Sequence, residues 1–164
     1  ITVLHEPPLL IFDEPFSGFD PVNAEMLKHE ILELRDKGHT VIFSTHNMSS
    51  VEEVCDEIAL INHSQVVLSG HVAEVKSRFR TGLYEATTTD TTLLSNKEGL
   101  FEVEQCCEAG GLHTYLIRKA PELSNSDLIT AVASQVELRS ICEKMPTMQE
   151  IFIKQVEGGS DHSA

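Results

Sequence analysis

The chain has 164 residues, with 12 Lys and Arg against 26 Asp and Glu, 8 His and a formal net charge of −14. Its 41% hydrophobic content supplies a core for one large domain or two small ones, and no run approaches the ~20 apolar residues of a membrane span. The charge argues against a nucleic-acid surface, which needs clustered Lys and Arg, and it is evenly spread, with 6 basic and 13 acidic side chains in each of residues 1–80 and 81–164.

Leu9-Leu10-Ile11-Phe12 is an unbroken apolar run, the pattern of a parallel strand buried on both faces. Asp20-Pro21 predicts a helix start, Leu27, Ile31 and Leu34 repeat at helical spacing, and Lys37-Gly38 ends the pattern. Thr40-Val41-Ile42-Phe43-Ser44-Thr45 is the next buried strand, and the βαβ order makes the two strands parallel. A second helix is expected over 48–55, a hairpin from 58–61 and 65–68 around Asn62-His63-Ser64, and a closing helix over 72–80.

The pattern then changes. Residues 83–88 and 101–107 alternate, as half-exposed antiparallel strands do, and Gly110-Gly111 turns the chain into a strand at 114–118. A helix follows Ser124-Asn125, then a strand over 136–141, and Thr147-Met148-Gln149-Glu150 is a capping box that opens a last helix with Ile151, Phe152 and Val156 on a core face. The expected organisation is an α/β region over 1–80, a small α+β domain over 81–157 and a disordered tail over 158–164. Cys55, Cys106, Cys107 and Cys142 form no C-x-x-C and have no His at ligand spacing. They read as small core hydrophobes in a reducing compartment.

The segment that carries chemistry is Leu9-Leu10-Ile11-Phe12-Asp13-Glu14-Pro15. A buried strand ending in two carboxylates puts both at the carboxyl edge of the sheet, where α/β proteins bind ligands. One such carboxylate can hold Mg²⁺ through water while its neighbour deprotonates or orients an attacking water. Ser17-Gly18-Phe19-Asp20 follows, and the next strand ends in Ser44-Thr45-His46, which brings His46 to the same edge.

In this order the three segments resemble the nucleotide-binding domain of ATP-binding cassette (ABC) ATPases. The strand with Asp13 and Glu14 is similar to the Walker B motif, Ser17 to Asp20 to the D-loop and His46 to the switch histidine of the H-loop. The resemblance implies ATP and Mg²⁺: Asp13 would hold the metal through water, Glu14 would be the general base and His46 would contact the γ-phosphate. Ser17, Gly18 and Asp20 would meet a second protomer across sandwiched nucleotides. Phe16 stands where the family has a small polar residue and Phe19 where it has leucine; both changes alter packing and leave the acids in place.

No G-x-x-x-x-G-K-[S/T] and no L-S-G-G-Q-like signature occur in the chain, and residues 1–6 resemble the last turn of the helix that follows the signature. The expected fold is therefore a partial P-loop NTPase-type parallel sheet lacking its N-terminal half, followed by the α+β domain, and the chain alone is expected to be inactive. Met145-Pro146-Thr147-Met148-Gln149-Glu150-Ile151-Phe152 is similar to the element closing an accessory domain on bacterial ABC ATPases that pair with ABC-2-type permeases. The implied function is ATP hydrolysis coupled to transport through a separate permease, in the cytoplasm and peripheral to the inner membrane. Two alternatives are a non-enzymatic interaction module and an ABC-type ATPase of DNA repair or chromosome maintenance, the latter opposed by the lack of coiled coils and basic surfaces.

Overall fold

Two parallel strands, β1 (Leu9–Asp13) and β2 (Thr40–Ser44), pair residue for residue from Leu9↔Thr40 to Asp13↔Ser44 in a computed structural model that describes residues 6–158. Helix α1 (Pro21–Asp36) joins them and packs on β2. Its start is built as the sequence predicts: the Asp20 carboxylate accepts from the Val22 and Asn23 amides at 3.0 and 3.1 Å, and Pro21 occupies the first turn, where no amide is needed. Gly38, at φ +93°, lets the chain reverse into β2. The expectations for residues 1–5 and 159–164 lie outside the described residues.

One expectation needs correction. The two strands are buried on one face, not both. Leu10 is 3% exposed and Ile31 of α1 likewise, whereas Ile11 is 71% and its register partner Ile42 53% exposed. Side chains alternate across a strand, so the face away from Leu10 carries Leu9, Ile11 and Ile42 into the open.

After β2 come α2 (Met48–Val54), an antiparallel hairpin of β3 (Glu57–Asn62) and β4 (Gln65–His71), and α3 (Val72–Arg78). The hairpin turns on His63 and Ser64, both at positive φ. The chain then leaves for a second unit, Ser77–Pro146, and returns at Thr147, so the last helix, α5 (Met148–Gly158), belongs to the first unit. The sequence placed this helix at the end of the α+β domain. Met148 and Ile151, 2% and 1% exposed, are buried where α5 packs on α2, while Phe152 and Val156 are only half-buried.

The second unit is a four-stranded antiparallel sheet of order β6-β7-β5-β8, from β5 (Leu83–Thr88), β6 (Phe101–Ala109), β7 (Leu112–Lys119) and β8 (Leu138–Glu143), with α4 (Asn125–Ala133). Tyr84, Ala86, Phe101, Tyr115 and Ile117 meet Leu128, Ala131 and Val132 of α4 in its core. β6 outruns that core, and from Glu104 onward both its faces are exposed. Cys106 and Cys107 are therefore exposed and free, and Cys142 is exposed on β8, against the reading of them as core residues. Cys55, in the first unit, is half-buried, and burial pushes its thiol up to about 11.

Ile117 is fully buried at the centre of the second unit. Ile117→Ala should lower that unit's stability by about 2–5 kcal/mol in urea titration, the range for an unrelieved core cavity. A loss below about 1 kcal/mol would mean the site collapses around the smaller side chain.

Candidate functional site

The parallel register decides the site. With Asp13 opposite Ser44, β1 and β2 end side by side and their next residues, Glu14-Pro15 and Thr45-His46, leave the same edge. The Ser44 hydroxyl donates to Asp13 Oδ1, and the Glu14 amide lies 3.1 Å from the Ser44 carbonyl and 3.2 Å from its hydroxyl. Glu14 sits at φ +45°, a left-handed conformation uncommon for a residue with a Cβ.

Its carboxylate then faces the end of β2. Oε1 accepts from the His46 amide at 3.1 Å and lies 2.7 Å from His46 Nδ1. Oε2 receives the Thr45 hydroxyl at a longer 3.4 Å. The Glu14 side chain is 36% exposed and the His46 ring 85%, so the ring leans on the carboxylate while its outer edge faces solvent. Thr45 Oγ1 also accepts from the Asn47 amide at 3.1 Å, and Asn47 Oδ1 caps α2 through the Ser49 and Ser50 amides at 3.0 and 3.2 Å.

The structure thus brings Asp13, Glu14 and His46 together at one edge. Ser17, Gly18 and Asp20 form the exposed turn that follows: the Ser17 amide donates to the Glu14 carbonyl at 3.1 Å, and Gly18 takes φ +80°. Phe16 packs edge-to-face on Phe43, ring centroids 5.5 Å apart, whereas Phe19 is exposed. Sequence reasoning missed Ser44 and Thr45 as the groups that hold the two acids. Their signal was available, since polar residues ending a strand in register with Asp13 and Glu14 must face them.

Among the described residues no group of three or more His, Cys, Asp or Glu gathers as a metal cage. Asp13 is one exposed carboxylate, a donor set that suits Mg²⁺, which keeps several waters and takes one or two protein oxygens. An open cleft of about 810 Å³ begins at His46 and runs along Met48, Leu60, Ile61, Phe152 and Ile153. No helix among the described residues is long and apolar enough to cross a membrane.

The chain is similar to ABC transporter ATP-binding proteins along nearly its whole length. It is 36% identical over 157 residues to an uncharacterized one of Alkalihalophilus pseudofirmus, covering 94% of this chain and 57% of that protein. It is 30% identical over 159 residues to YhaQ of Bacillus subtilis, covering 94% of this chain and 50% of that protein. A third relative, a fluoroquinolones export ATP-binding protein of Mycobacterium tuberculosis, is 37% identical over 75 residues, 46% of this chain and 25% of that protein. The chain spans about half the length of the first two relatives. The family profile described as "ATP-binding protein DrrA1-3-like, C-terminal domain" matches residues 70–156, and the chain belongs to that family.

Asp20 gives this region a pH dependence. Hydrogen bonds from the Asn23 amide and side chain, with a smaller contribution from the Val22 amide, hold its carboxyl below the ordinary value of 3.8. A folded-state pKa below the unfolded one adds stability above the unfolded pKa, and that contribution disappears as pH falls through the folded value. Asp20→Asn keeps a capping oxygen but not the charge. The wild-type chain should therefore be more stable than the variant near neutrality and lose that lead on acidification below about pH 4. Urea titrations between pH 7 and 2 measure it, and a lead that does not vary with pH would show that the charge is irrelevant to the cap.

Proposed function

We propose that the chain is the C-terminal part of an ATP-hydrolysing subunit of an ABC exporter, working at the cytoplasmic face of the inner membrane with a separate permease. The observation that carries the reading is the Glu14 carboxylate, at the sheet edge beside Asp13, with Oε1 engaged by His46 and Oε2 holding only the longer bond from the Thr45 hydroxyl. That leaves one oxygen for a water and one for the residue that senses phosphate. The export relative supports the transport direction, and the relatives' greater length supports a P-loop and signature outside the 164 residues.

In this reading Glu14 accepts the proton of the water that attacks the γ-phosphate, and its contact with His46 fixes the rotamer in which Oε2 points to that water. His46, mostly exposed and tethered through Nδ1, presents its other ring nitrogen to the phosphate. Asp13, oriented by the Ser44 hydroxyl, is the residue that would hold Mg²⁺. Mg²⁺, when bound, neutralises charge on the phosphates. Ser17, Gly18 and Asp20 form the exposed turn that meets a second ATPase protomer. The open face of Leu9, Ile11 and Ile42 is covered by the remainder of the longer protein.

Two outcomes test this. The 164 residues contain no phosphate-cradling glycine loop, so the chain alone should bind Mg-ATP weakly and not turn it over. Micromolar affinity by calorimetry would overturn the reading of the chain as part of a longer ATPase. In the full-length protein, Glu14→Gln should keep ATP binding and lose about 10²–10⁴-fold in turnover, trapping an ATP-bound dimer visible by sedimentation. Asp13→Asn should instead weaken Mg²⁺ binding itself. Wild-type turnover by Glu14→Gln would reduce Glu14 to a structural acid.

A further inference from the structure

The site's histidine stands immediately before α2, a helix of seven residues and hence of little stability of its own. What holds α2 bears on where His46 lies. One side chain of this helix, Glu52, makes two contacts that the mechanism above does not use. Its Oε1 accepts from the Met148 amide at 2.5 Å, and its Oε2 is paired with the Lys76 ammonium. Both carboxylate and ammonium are partly buried, at 25% and 21% side-chain exposure.

The three residues occupy particular places in the chain. Lys76 is the last residue of the first unit before the chain departs, and Met148 is the second after it returns. Glu52 therefore fastens both the departing and the returning segment to α2. The returning segment needs it. The capping box of α5 satisfies the Thr147 amide through Glu150 Oε2 at 2.7 Å and the Glu150 amide through Thr147 Oγ1 at 3.2 Å. It leaves the Met148 amide, whose residue is 2% exposed and shut off from water, and Glu52 supplies that acceptor. A carboxylate there also faces the positive end of the α5 dipole. From the same helix Glu53 pairs with Lys28 of α1, so successive acids anchor α2 to different neighbours.

We propose that Glu52 is a positioning residue for His46: by clamping α3 and α5 onto α2 it fixes the helix whose N-cap, Asn47, directly follows His46, and so keeps His46 on Glu14. The proposal rests on the ATPase reading for its catalytic meaning but not for its structural content. Release of the clamp frees α2 to shift, and the His46 amide bond to Glu14 and the Asn47 caps open with it. The segments on either side of the second unit thereby gain a hold on the catalytic histidine.

The test is hydrogen exchange resolved to single amides in the full-length protein, with ATP turnover measured in parallel. Glu52→Ala should deprotect Met148 directly and His46, Ser49 and Ser50 by about tenfold or more, the worth of a charge-assisted hydrogen bond in a local opening. Leu10 and Ile42, within the β1–β2 pair, should keep their protection. Glu52→Gln retains an oxygen for Met148 and should restore most of it, while Lys76→Met should give an intermediate effect. These two variants carry the test if Glu52→Ala fails to fold. Loss of Met148 protection with His46 unchanged would overturn the proposal, as would equal deprotection of every amide in the first unit, the β1–β2 pair included. Turnover should fall in kcat with KM for ATP little changed. A wild-type protein without ATPase activity would defeat the ATPase reading and leave the exchange result to judge the clamp.

Discussion

The in-register pairing of β1 with β2 is the constraint from which the site follows. Both strands run parallel, so their carboxyl ends fall at one edge, and the pairing of Asp13 with Ser44 sets which residues meet there. A slip of one residue would turn every side chain of one strand to the opposite face. Leu10 would leave the core and Ile11 enter it, and Asp13 would lose the Ser44 hydroxyl. Burial of Leu10 and alignment of the acids with Ser44-Thr45-His46 are thus one requirement, and the apolar run before Asp13 maintains the arrangement after it.

The second requirement is a fixed α2. Its interior face supplies Ser50, Val51 and Val54 to the core, all under 9% exposed, but seven residues make too short a helix to persist without tertiary support. That support comes from α5, whose Met148 and Ile151 are buried, and from the carboxylates of Glu52 and Glu53. A helix remote in sequence thereby packs on the segment next to His46, and its Phe152 and Ile153 line the cleft that begins at that histidine.

Local signals were legible in the sequence and long-range ones were not. Asp20-Pro21, Asn47 and Ser124 are caps whose chemistry acts within three residues, and the helices start where these residues place them. Residues 83–88 alternate over one turn-bounded run and form β5 over that span. The paired acids and His46 were found because a βαβ unit leaves a single edge for them. That β1 buries only one face was not legible, since an apolar run reports what a strand can bury and not what lies against it. Nor was the allegiance of α5, because its amphipathic pattern names a core face without naming the core. Cys106 and Cys107 failed for a related reason: alternation in β6 continues beyond the point where the core covers the sheet.

Glu14 is the position where backbone strain and side-chain contacts oppose each other. Its φ of +45° carries a cost of roughly 1–3 kcal/mol for a residue with a side chain, and Gly or Asn would occupy the same turn with less strain. The surroundings over-determine the conformation: the amide is held between the Ser44 carbonyl and hydroxyl, and the carbonyl accepts from Ser17. Those bonds use only the backbone, so they would survive replacement by glycine. What glycine could not supply is the carboxylate that meets the His46 ring and amide. The strain is therefore the cost of placing an acid at a corner from which it reaches the end of β2, where its carboxylate meets the His46 amide and ring.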